Sequence, residues 1–319
     1  MPSVNTKRIR MKAPAKINLY LKILGKRADG YHELETLMQK IALYDELELT
    51  LVDKSGVCLR CLDADLPEDD GNIVVRAAQL FLAQTDKEGQ GVCITLKKNI
   101  PVAAGLGGGS SDAAAVLNGL NQLLGTDCSV EELANMGVRL GADVPLFVYD
   151  FPAVWATGIG EKLEPVVPLS NYLVLLVNPG IPVSTQWAYA AFSSAAGKNA
   201  LTAVGKTFIL SRSSSGEDKF TMPLSGQGCI QPDGLENDLE SVTADRHRVI
   251  GELKKRLLAA GAAGAMMSGS GPTVFGLFDR ESEESAALCC QALKKEYSQV
   301  YLAVPLDVSD GVRRDPICK

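Results

Sequence analysis

Four glycines fall within the five residues Gly105–Gly109, and two serines, an aspartate and three alanines follow them. Glycine weakens the interior of both helices and strands, so this density needs a specific cause. The segment before it, "VCITLKKNIP", alternates in hydrophobicity like a strand, and the segment after it is rich in alanine, as helices are. The glycines therefore occupy a strand-to-helix junction that any fold of this chain must accommodate.

Three interpretations of this junction compete. A flexible linker is disfavoured because the predicted strand and helix adjoin the glycines without a spacer. A structural turn is the simplest alternative, although a tight turn needs far fewer glycines. The third is an anion cradle, because glycines let the backbone approach an anion and a helix N-terminus offers unpaired N–H groups. The hydroxyls of Ser110 and Ser111 would bind phosphate oxygens or a Mg²⁺ shell, and either serine would cap the helix.

Two familiar phosphate-binding loops do not match this cradle. A P-loop ends in a lysine followed by serine or threonine, and no lysine follows these glycines. The Rossmann pattern needs a glycine at its sixth position, where this chain has Ser110. If the junction binds phosphate, the cradle is of another type.

The remaining patterns predict an α+β protein with two domains, 1–168 and 169–319. Residues 8–24 alternate like a strand, and Asn72 and Ser129 are placed to cap two helices. The second half has the order of elements expected for a split βαβ, ferredoxin-like domain. The segment 193–230 is rich in serine, glycine, lysine and threonine, and we predict a long loop or insertion there.

Charge and cysteine content disfavour several classes of protein. A formal net charge of -6 and a pI near 5.2 argue against nucleic-acid binding. No apolar run reaches the roughly 18 to 20 residues of a membrane span, and the basic N-terminus lacks a secretory h-region. Only Cys58 and Cys61 form a C-x-x-C pair, without a second pair or a nearby histidine to complete a zinc site. We therefore expect a cytoplasmic protein with reduced cysteines and no bound metal of its own.

Several motifs together resemble one superfamily. The segment Pro101–Ala115 resembles the phosphate loop of the GHMP kinases, named for galactokinase, homoserine, mevalonate and phosphomevalonate kinases. One branch of that superfamily acts on a cytidine diphosphate-linked methylerythritol. This chain is similar to it through "PAKINLYLKI", "DGYHELETLMQ", "GADVPLF" and "SGSGPTVFGLF". The segment 193–230 matches none of the branch's motifs.

The resemblance implies the two-domain GHMP kinase fold, with a mixed sheet and helices in the N-terminal domain and the ferredoxin-like domain after it. It implies ATP as phosphoryl donor, with Mg²⁺ bound mainly through the ATP phosphates. The expected partner is a small-molecule substrate rather than nucleic acid or membrane, and the expected state is a monomer or weak homodimer. The residues implied to bind ATP are Pro101, Val102, Ala103, Ala104, Gly105, Leu106, Gly107, Gly108, Gly109, Ser110 and Ser111.

Two charged residues carry the chemistry that the resemblance implies. By residue type alone, Lys16 on the polar face of the first strand is an ordinary solvated lysine. Asp143 in a turn after a helix is by the same standard an aspartate that bonds a nearby N–H. The resemblance instead implies that Asp143 is the catalytic base and that Lys16 lies beside it and the acceptor hydroxyl.

The resemblance also implies a cytidine pocket. Tyr31 and His32 would stack on the cytosine and bond its edge, whereas a loop Tyr-His pair taken alone is usually surface or packing. A second stacking aromatic lies in "VSTQWAY", where Tyr189 fits the family spacing better than Trp187. The other substrate contacts implied are Asn18, Thr185, Gly269 and Gly271, the last two in a turn that spacing alone predicts as a plain hairpin.

Two other functions stay open on sequence alone. One is another small-molecule kinase of the superfamily, such as a mevalonate or homoserine kinase. A non-nucleotide acceptor gives no reason for Tyr31 and His32 to form a cytosine platform. The other is a nucleotide-binding protein that has lost catalysis, and the presence of Lys16 and Asp143 argues against it.

Overall fold

The computed structural model describes residues 7–62, 64–195 and 234–308. Most of the predicted loop or insertion at 193–230 lies outside the described residues. The chain divides into two compact units that alternate along it: unit 1 is Met1–Ala15, Leu43–Val102 and Gly107–Tyr149, and unit 2 is Lys16–Ala42, Ala103–Leu106 and Asp150–Lys319. The sequence-based division into 1–168 and 169–319 stays a prediction.

Two long strands, β1 (Arg8–Lys26) and β2 (His32–Val52), contribute residues to both units. In unit 1 they are joined by β3 (Gly56–Leu62) and β4 (Gly91–Lys97). Strand β4 pairs antiparallel with β2 and parallel with β3. Buried residues face each other across β2 and β4 in the pairs Leu47–Leu96 and Leu49–Ile94. The alternation in the sequence therefore places one face of these strands in the core, as predicted.

One cysteine prediction is wrong. Cys58 on β3 and Cys93 on β4 form a disulfide, because the parallel register sets them directly opposite with Cα atoms 4.7 Å apart. The two cysteines are 35 residues apart in the sequence, so no local motif predicts that they pair. Cys61, the other member of the C-x-x-C, is free. Three residues along a strand reverse the side-chain direction, which agrees with the two cysteines having different neighbours.

The helices of unit 1 begin and end largely where local sequence signals predict. They are α1 (Ile73–Gln84), α2 (Gly108–Leu124), α3 (Val130–Val138) and α4 (Val144–Val148). Asn72 accepts a hydrogen bond from an N–H of α1, and Ser129 forms a capping box with Glu132 at α3. Gly125 ends α2 in the left-handed conformation.

The predicted serine cap of α2 is wrong. The helix begins at Gly108, and Gly107 is the N-cap residue with φ 71° and no side-chain cap. Left-handed backbone of this kind favours glycine, so the glycines themselves start the helix. Ser110 and Ser111 consequently lie within its first turn, where their hydroxyls are not used as caps.

The elements of unit 2 beyond β1 and β2 are β5 (Ala153–Thr157), β6 (Lys162–Pro165), β7 (Tyr172–Asn178), α5 (Thr185–Ala195), β8 (Glu236–Asn237), α6 (Asp238–Arg246), α7 (Val249–Ala259), β9 (Gly264–Met267), β10 (Val274–Asp279), α8 (Glu283–Lys294) and β11 (Gln299–Ala303). Strand β5 pairs antiparallel with β2 and β6. The short strand β8 pairs parallel with β1. Within unit 2, β2 therefore has β5 as a neighbouring strand, and β1 has β8.

A separate four-stranded antiparallel sheet of unit 2 has the order β11-β7-β10-β9. Numbered along the chain, these strands follow the order 4-1-3-2, which is the ferredoxin-like arrangement that the sequence predicts. Apolar residues of α7, α8 and the sheet share one core, including Leu253, Leu257, Leu293, Val274 and Phe278. Within the described ranges, every helix is too short or too polar to cross a bilayer.

Candidate active site

The polar face of β1 in unit 2 is buried rather than solvated. Lys16 is 4% exposed and Asn18 is 2% exposed, so the expectation of a surface lysine from residue type is wrong. The Lys16 ammonium donates to Oδ1 of Asn18 at 2.6 Å. The Asn18 amide donates to Oγ1 of Thr36 at 2.8 Å, and that hydroxyl donates to the Tyr20 carbonyl at 2.7 Å. These bonds fix the direction of the lysine side chain, because buried polar groups keep the partners that satisfy them.

The first half of the glycine loop lies against this face. The backbone N–H of Lys16 donates to the Leu106 carbonyl at 2.9 Å. Gly105 has φ 76°, and a Cβ added there would lie 2.1 Å from the Ser268 carbonyl oxygen. The loop therefore needs glycine at this position for its backbone conformation and for a close approach of another backbone segment.

That other segment is the turn Ser268–Pro272, which joins β9 to β10 and confirms the predicted hairpin. Ser268 donates its hydroxyl to the Gly105 carbonyl at 3.0 Å and accepts from the Asn18 N–H at 3.3 Å. Within the turn, Gly271 N donates to the Ser268 carbonyl at 2.9 Å. A Cβ added to Gly269 would lie 3.3 Å from Asn18 Oδ1. The turn thus contacts both the glycine loop and the residue that holds Lys16.

A polar contact also joins this turn to α5. The hydroxyls of Thr185, at the start of α5, and Ser270 lie 2.9 Å apart. The structure therefore brings together several of the substrate-binding residues that the resemblance implies, namely Asn18, Thr185 and Gly269, with Gly271 in the same turn.

The predicted cytidine residues lie partly together. The His32 ring stacks on Tyr189, with ring centroids 5.0 Å apart and planes inclined by 26°. His32 Nε2 lies 2.7 Å from the Ser193 hydroxyl, which donates its proton to the Tyr189 carbonyl at 2.9 Å. Nε2 is therefore the donor in the His32–Ser193 bond. Burial, together with the positive charge of Lys26, lowers the pKa of His32 and so favours the neutral ring.

The other aromatic residues occupy different surroundings. Trp187 packs edge-on against His247, and the Arg246 guanidinium lies 4.5 Å from its ring centroid. Of the two candidates left open by the sequence, Tyr189 is therefore the one that contacts His32. Tyr31 is 60% exposed, which leaves most of its ring accessible.

The remaining predicted ATP residues divide between the units. Pro101 and Val102 belong to unit 1, Ala103–Leu106 to unit 2, and Gly107–Ser111 to unit 1 again. In unit 1, Ser111 is 1% exposed and its hydroxyl has no hydrogen-bond partner among the described residues. A buried hydroxyl without a partner is costly, so this position is suited to a ligand oxygen or cation.

Asp143 also belongs to unit 1, in the turn before α4. It is the N-cap residue of α4, with φ -81° and ψ -12°, and its side chain does not cap that helix. Pro145 occupies the first turn of α4 and fixes the backbone beyond it. Nearby, a Cβ added to Gly141 would lie 3.8 Å from Ser110 Oγ, so the turn that carries Asp143 lies beside the start of α2.

Sequence reasoning missed a buried ion cluster in unit 1. The Lys98 ammonium donates to Asp45 and, at 2.7 Å, to Oδ2 of Asp112 in the first turn of α2. Asp45 Oδ1 also accepts from the N–H groups of Asn99 at 2.6 Å and Ile100 at 2.8 Å. The two acids are distant in sequence, and no motif or periodicity marks them as a pair. The cluster anchors the segment that leads from β4 into the glycine loop.

The pKa of Asp112 in this cluster departs from its ordinary value. Burial raises the pKa of Asp112 to about 7, and the Lys98 charge opposes that rise. Asp112 Oδ1 has no hydrogen-bond partner among the described residues. A Cβ added to Gly108 would lie 3.2 Å from the Lys98 nitrogen, so the ammonium lies directly under the start of α2.

Two family models match this chain and define its class. The GHMP kinases N terminal domain matches residues 72–151, and the GHMP kinases C terminal domain matches residues 230–299. The fold agrees: a crystal structure of homoserine kinase from Cytophaga hutchinsonii superposes with a TM-score of 0.64 at 22% identity, over 96% of this chain and 98% of that chain. The class is therefore the GHMP kinases.

More similar relatives narrow the class. A 4-diphosphocytidyl-2-C-methyl-D-erythritol kinase from Desulfotalea psychrophila is 46% identical over 299 residues, covering 93% of this chain and 95% of its own. The enzyme of that name from Geobacter metallireducens is 48% identical over 281 residues, covering 88% and 93%. A crystal structure of 4-(cytidine 5'-diphospho)-2C-methyl-D-erythritol kinase superposes with a TM-score of 0.71 at 30% identity, over 93% and 99%. The chain belongs to the 4-diphosphocytidyl-2-C-methyl-D-erythritol kinase family.

Proposed function

We propose that this chain transfers the γ-phosphoryl group of ATP to the 2-hydroxyl of 4-diphosphocytidyl-2-C-methyl-D-erythritol. This reaction belongs to the non-mevalonate synthesis of isoprenoid precursors. The observation that carries the proposal is the 46% identity, over 93% of the chain, to a kinase named for that substrate. The buried Lys16 network and the stacked His32–Tyr189 pair supply chemistry that suits such a substrate.

Phosphoryl transfer needs charge neutralisation, alignment and a proton acceptor. The N-terminal N–H groups of α2 and the glycines before it offer donors to phosphate oxygens. Ser111 supports a Mg²⁺ contact, because its buried hydroxyl lacks a protein partner and Mg²⁺ prefers oxygen ligands. Among the described residues, no group of three acidic, histidine or cysteine side chains is arranged as a metal site. We propose that Mg²⁺ binds mainly through the ATP phosphates and neutralises their charge, as phosphoryl transfer requires.

The acceptor hydroxyl must lose its proton as its oxygen attacks the γ-phosphorus. In our proposal that proton goes to Asp143, the new P–O bond forms at the 2-oxygen, and the bond from the γ-phosphorus to the bridging oxygen of ADP breaks. Lys16 orients the hydroxyl and lowers its effective pKa by its positive charge. The hydrogen bond from Lys16 to Asn18 supports this role, because a fixed ammonium acts without prior reorganisation.

The cytidine end of the substrate needs flat, partly polar surroundings. We propose that Tyr31 and Tyr189 stack on the cytosine and that His32 bonds its edge. The His32–Tyr189 stack and the exposed ring of Tyr31 support this assignment. Thr185 and the backbone of Gly269 and Gly271 would contact the rest of the substrate.

The proposed setting is a cytoplasmic enzyme, monomeric or weakly dimeric, without a nucleic-acid partner. The net charge of -6 supports the last point, because nucleic-acid surfaces are usually basic.

The test offers the purified protein γ-labelled ATP with three acceptors: the cytidylyl methylerythritol, mevalonate and homoserine. We expect label on the first compound only. Label on mevalonate or homoserine would move the assignment to a sister kinase. ATP binding without transfer to any acceptor would contradict the kinase function itself.

A further inference from the structure

The segment Glu236–Glu240, "ENDLE", is attached to the strand that carries Lys16. As β8, its first two residues pair with Tyr20 and Leu21 of β1. Asp238 accepts a hydrogen bond from the Ile23 N–H at 2.8 Å. The segment is thus bound to β1 shortly beyond the buried Lys16–Asn18 pair.

The same segment holds the turn Ser268–Pro272. The side-chain amide of Asn237 donates to the carbonyls of Met267 and Gly269, both at 2.8 Å. Glu240 accepts from the Met267 N–H at 2.8 Å and forms an ion pair with Lys254. Asn237 is 9% exposed, and a primary amide has only two N–H donors, so both are used on this turn.

The hydroxyls of Ser268 and Ser270 also hold the turn, whereas Asn237 holds the carbonyl of Gly269 between them. Gly269 and Gly271 both have positive φ, at 55° and 85°, and neither has a side chain to pack. A Cβ on Gly269 would meet the Gly105 carbonyl at 3.2 Å and Asn18 Oδ1 at 3.3 Å, so the backbone already lies close to both. A small displacement of the turn would therefore displace Asn18, whose oxygen accepts from Lys16.

We propose that Asn237 is a positioning residue for phosphoryl transfer, acting through the turn on Asn18 and Lys16 without touching the substrate. The proposal rests on the proposed function for its kinetic effect. Its structural part, the hold of Asn237 on the turn, stands independently. Because geometry at the reacting centre governs turnover more than binding, the effect falls on kcat rather than on KM.

The test variant is Asn237→Ser. Asn237 also caps α6, since its Oδ1 accepts from the Leu239 N–H at 3.0 Å. Serine retains a good helix cap but is too short to reach two carbonyls, so this change removes the turn contacts selectively. The matched control is Ser129→Ala, which removes a helix cap in unit 1 and leaves the turn intact.

We expect Asn237→Ser to lower kcat by about 10- to 100-fold with KM for ATP nearly unchanged, because small misplacements at a reacting centre cost this much. Ser129→Ala should lower the melting temperature but keep kcat. Hydrogen exchange separates this proposal from the proposed function. The amides of Ser268 and Gly271, bonded within the turn, should exchange faster in Asn237→Ser than in wild type and control.

Two results would overturn the proposal: unchanged exchange in the turn, or a folded Asn237→Ser enzyme with wild-type kcat. Wild-type protein that fails to phosphorylate the cytidylyl substrate would instead contradict the proposed function, and the exchange measurement would still decide the role of Asn237.

Discussion

The side chains of Lys16 in unit 2 and Lys98 in unit 1 are both buried, and the hydrogen bonds described above join them to groups of different charge. Lys98 lies between two buried carboxylates, Asp45 and Asp112. Lys16 donates to the oxygen of a neutral amide, and the network continues through a hydroxyl and a carbonyl. An ion cluster fixes a fold, because loss of one member leaves a buried charge. The hydrogen bond from Lys16 to a neutral amide fixes the direction of its ammonium group.

The largest expected effect is on kcat, from replacing Asp143, the proposed proton acceptor in unit 1. We expect Asp143→Asn to lower kcat by about 10²- to 10⁴-fold, because the proton acceptor is lost, while ATP still binds. Steady-state kinetics and ATP titration measure the two effects. Asp127→Asn is the control, since φ 54° at that loop position suits aspartate and asparagine equally. Wild-type turnover in Asp143→Asn would remove Asp143 from the mechanism.

Loss of the ion cluster of Lys98, Asp45 and Asp112 should lower the stability of the fold. We expect Lys98→Met to lower the free energy of unfolding by about 3–5 kcal/mol, because two carboxylates are left buried without their cation. Denaturant unfolding measures the loss. Lys97→Met is the matched control, because this neighbour has only an exposed contact with Glu46 at 3.8 Å and should change stability by less than about 1 kcal/mol. Equal losses in the two variants would contradict the stabilising role of the buried ion cluster.

Two glycines of unit 2 with nearly equal φ angles separate backbone strain from close packing. Gly105 has φ 76° and Gly180 has φ 74°, but a Cβ on Gly180 would meet nothing within 4 Å. Gly180→Ala should therefore cost about 1–2 kcal/mol from backbone strain alone. Gly105→Ala should cost roughly 1–3 kcal/mol more, because its Cβ would overlap the Ser268 carbonyl. Thermal unfolding of both variants gives the difference, and equal costs would mean that the close approach is absent.

The smallest expected effect is on the pH dependence of folding stability, through Asp112 in unit 1. The folded-state pKa of Asp112 is about 7, above its ordinary value of 3.8. The folded protein therefore retains a proton that the unfolded chain loses, and the contribution of Asp112 to stability declines as pH rises from about 4 to 7. Asp112→Asn should remove that part of the slope, so its stability relative to wild type should be greater at pH 8 than at pH 5. A constant difference across this range would contradict the raised pKa.

Local sequence signals predicted one region well. The cap at Asn72, the capping box at Ser129 and the left-handed stop at Gly125 each depend on residues within a few positions of one another. The order of strands and helices in the second half likewise gave the ferredoxin-like sheet. These features are set by short-range chemistry, so one sequence suffices to find them.

The rest depends on contacts between distant positions. Ser268 meets Asn18 across 250 residues and Gly105 across 163. The Cys58–Cys93 disulfide follows from a strand register that no motif specifies. The serine caps were mispredicted because glycine, with its access to positive φ, begins α2 one turn earlier. Lys16 and Asp143 were singled out through resemblance, and their roles remain predictions.

The sharing of β1 limits how this molecule can be taken apart. Residues 8–15 of the strand belong to one unit and residues 16–26 to the other. No single cut in the chain releases both units with all of their own strands. Truncated genes and fragment libraries should therefore give insoluble or partly folded products. A recombination event that exchanges one continuous segment with a relative cannot replace either unit whole without also replacing part of the other, because each unit consists of three separated segments.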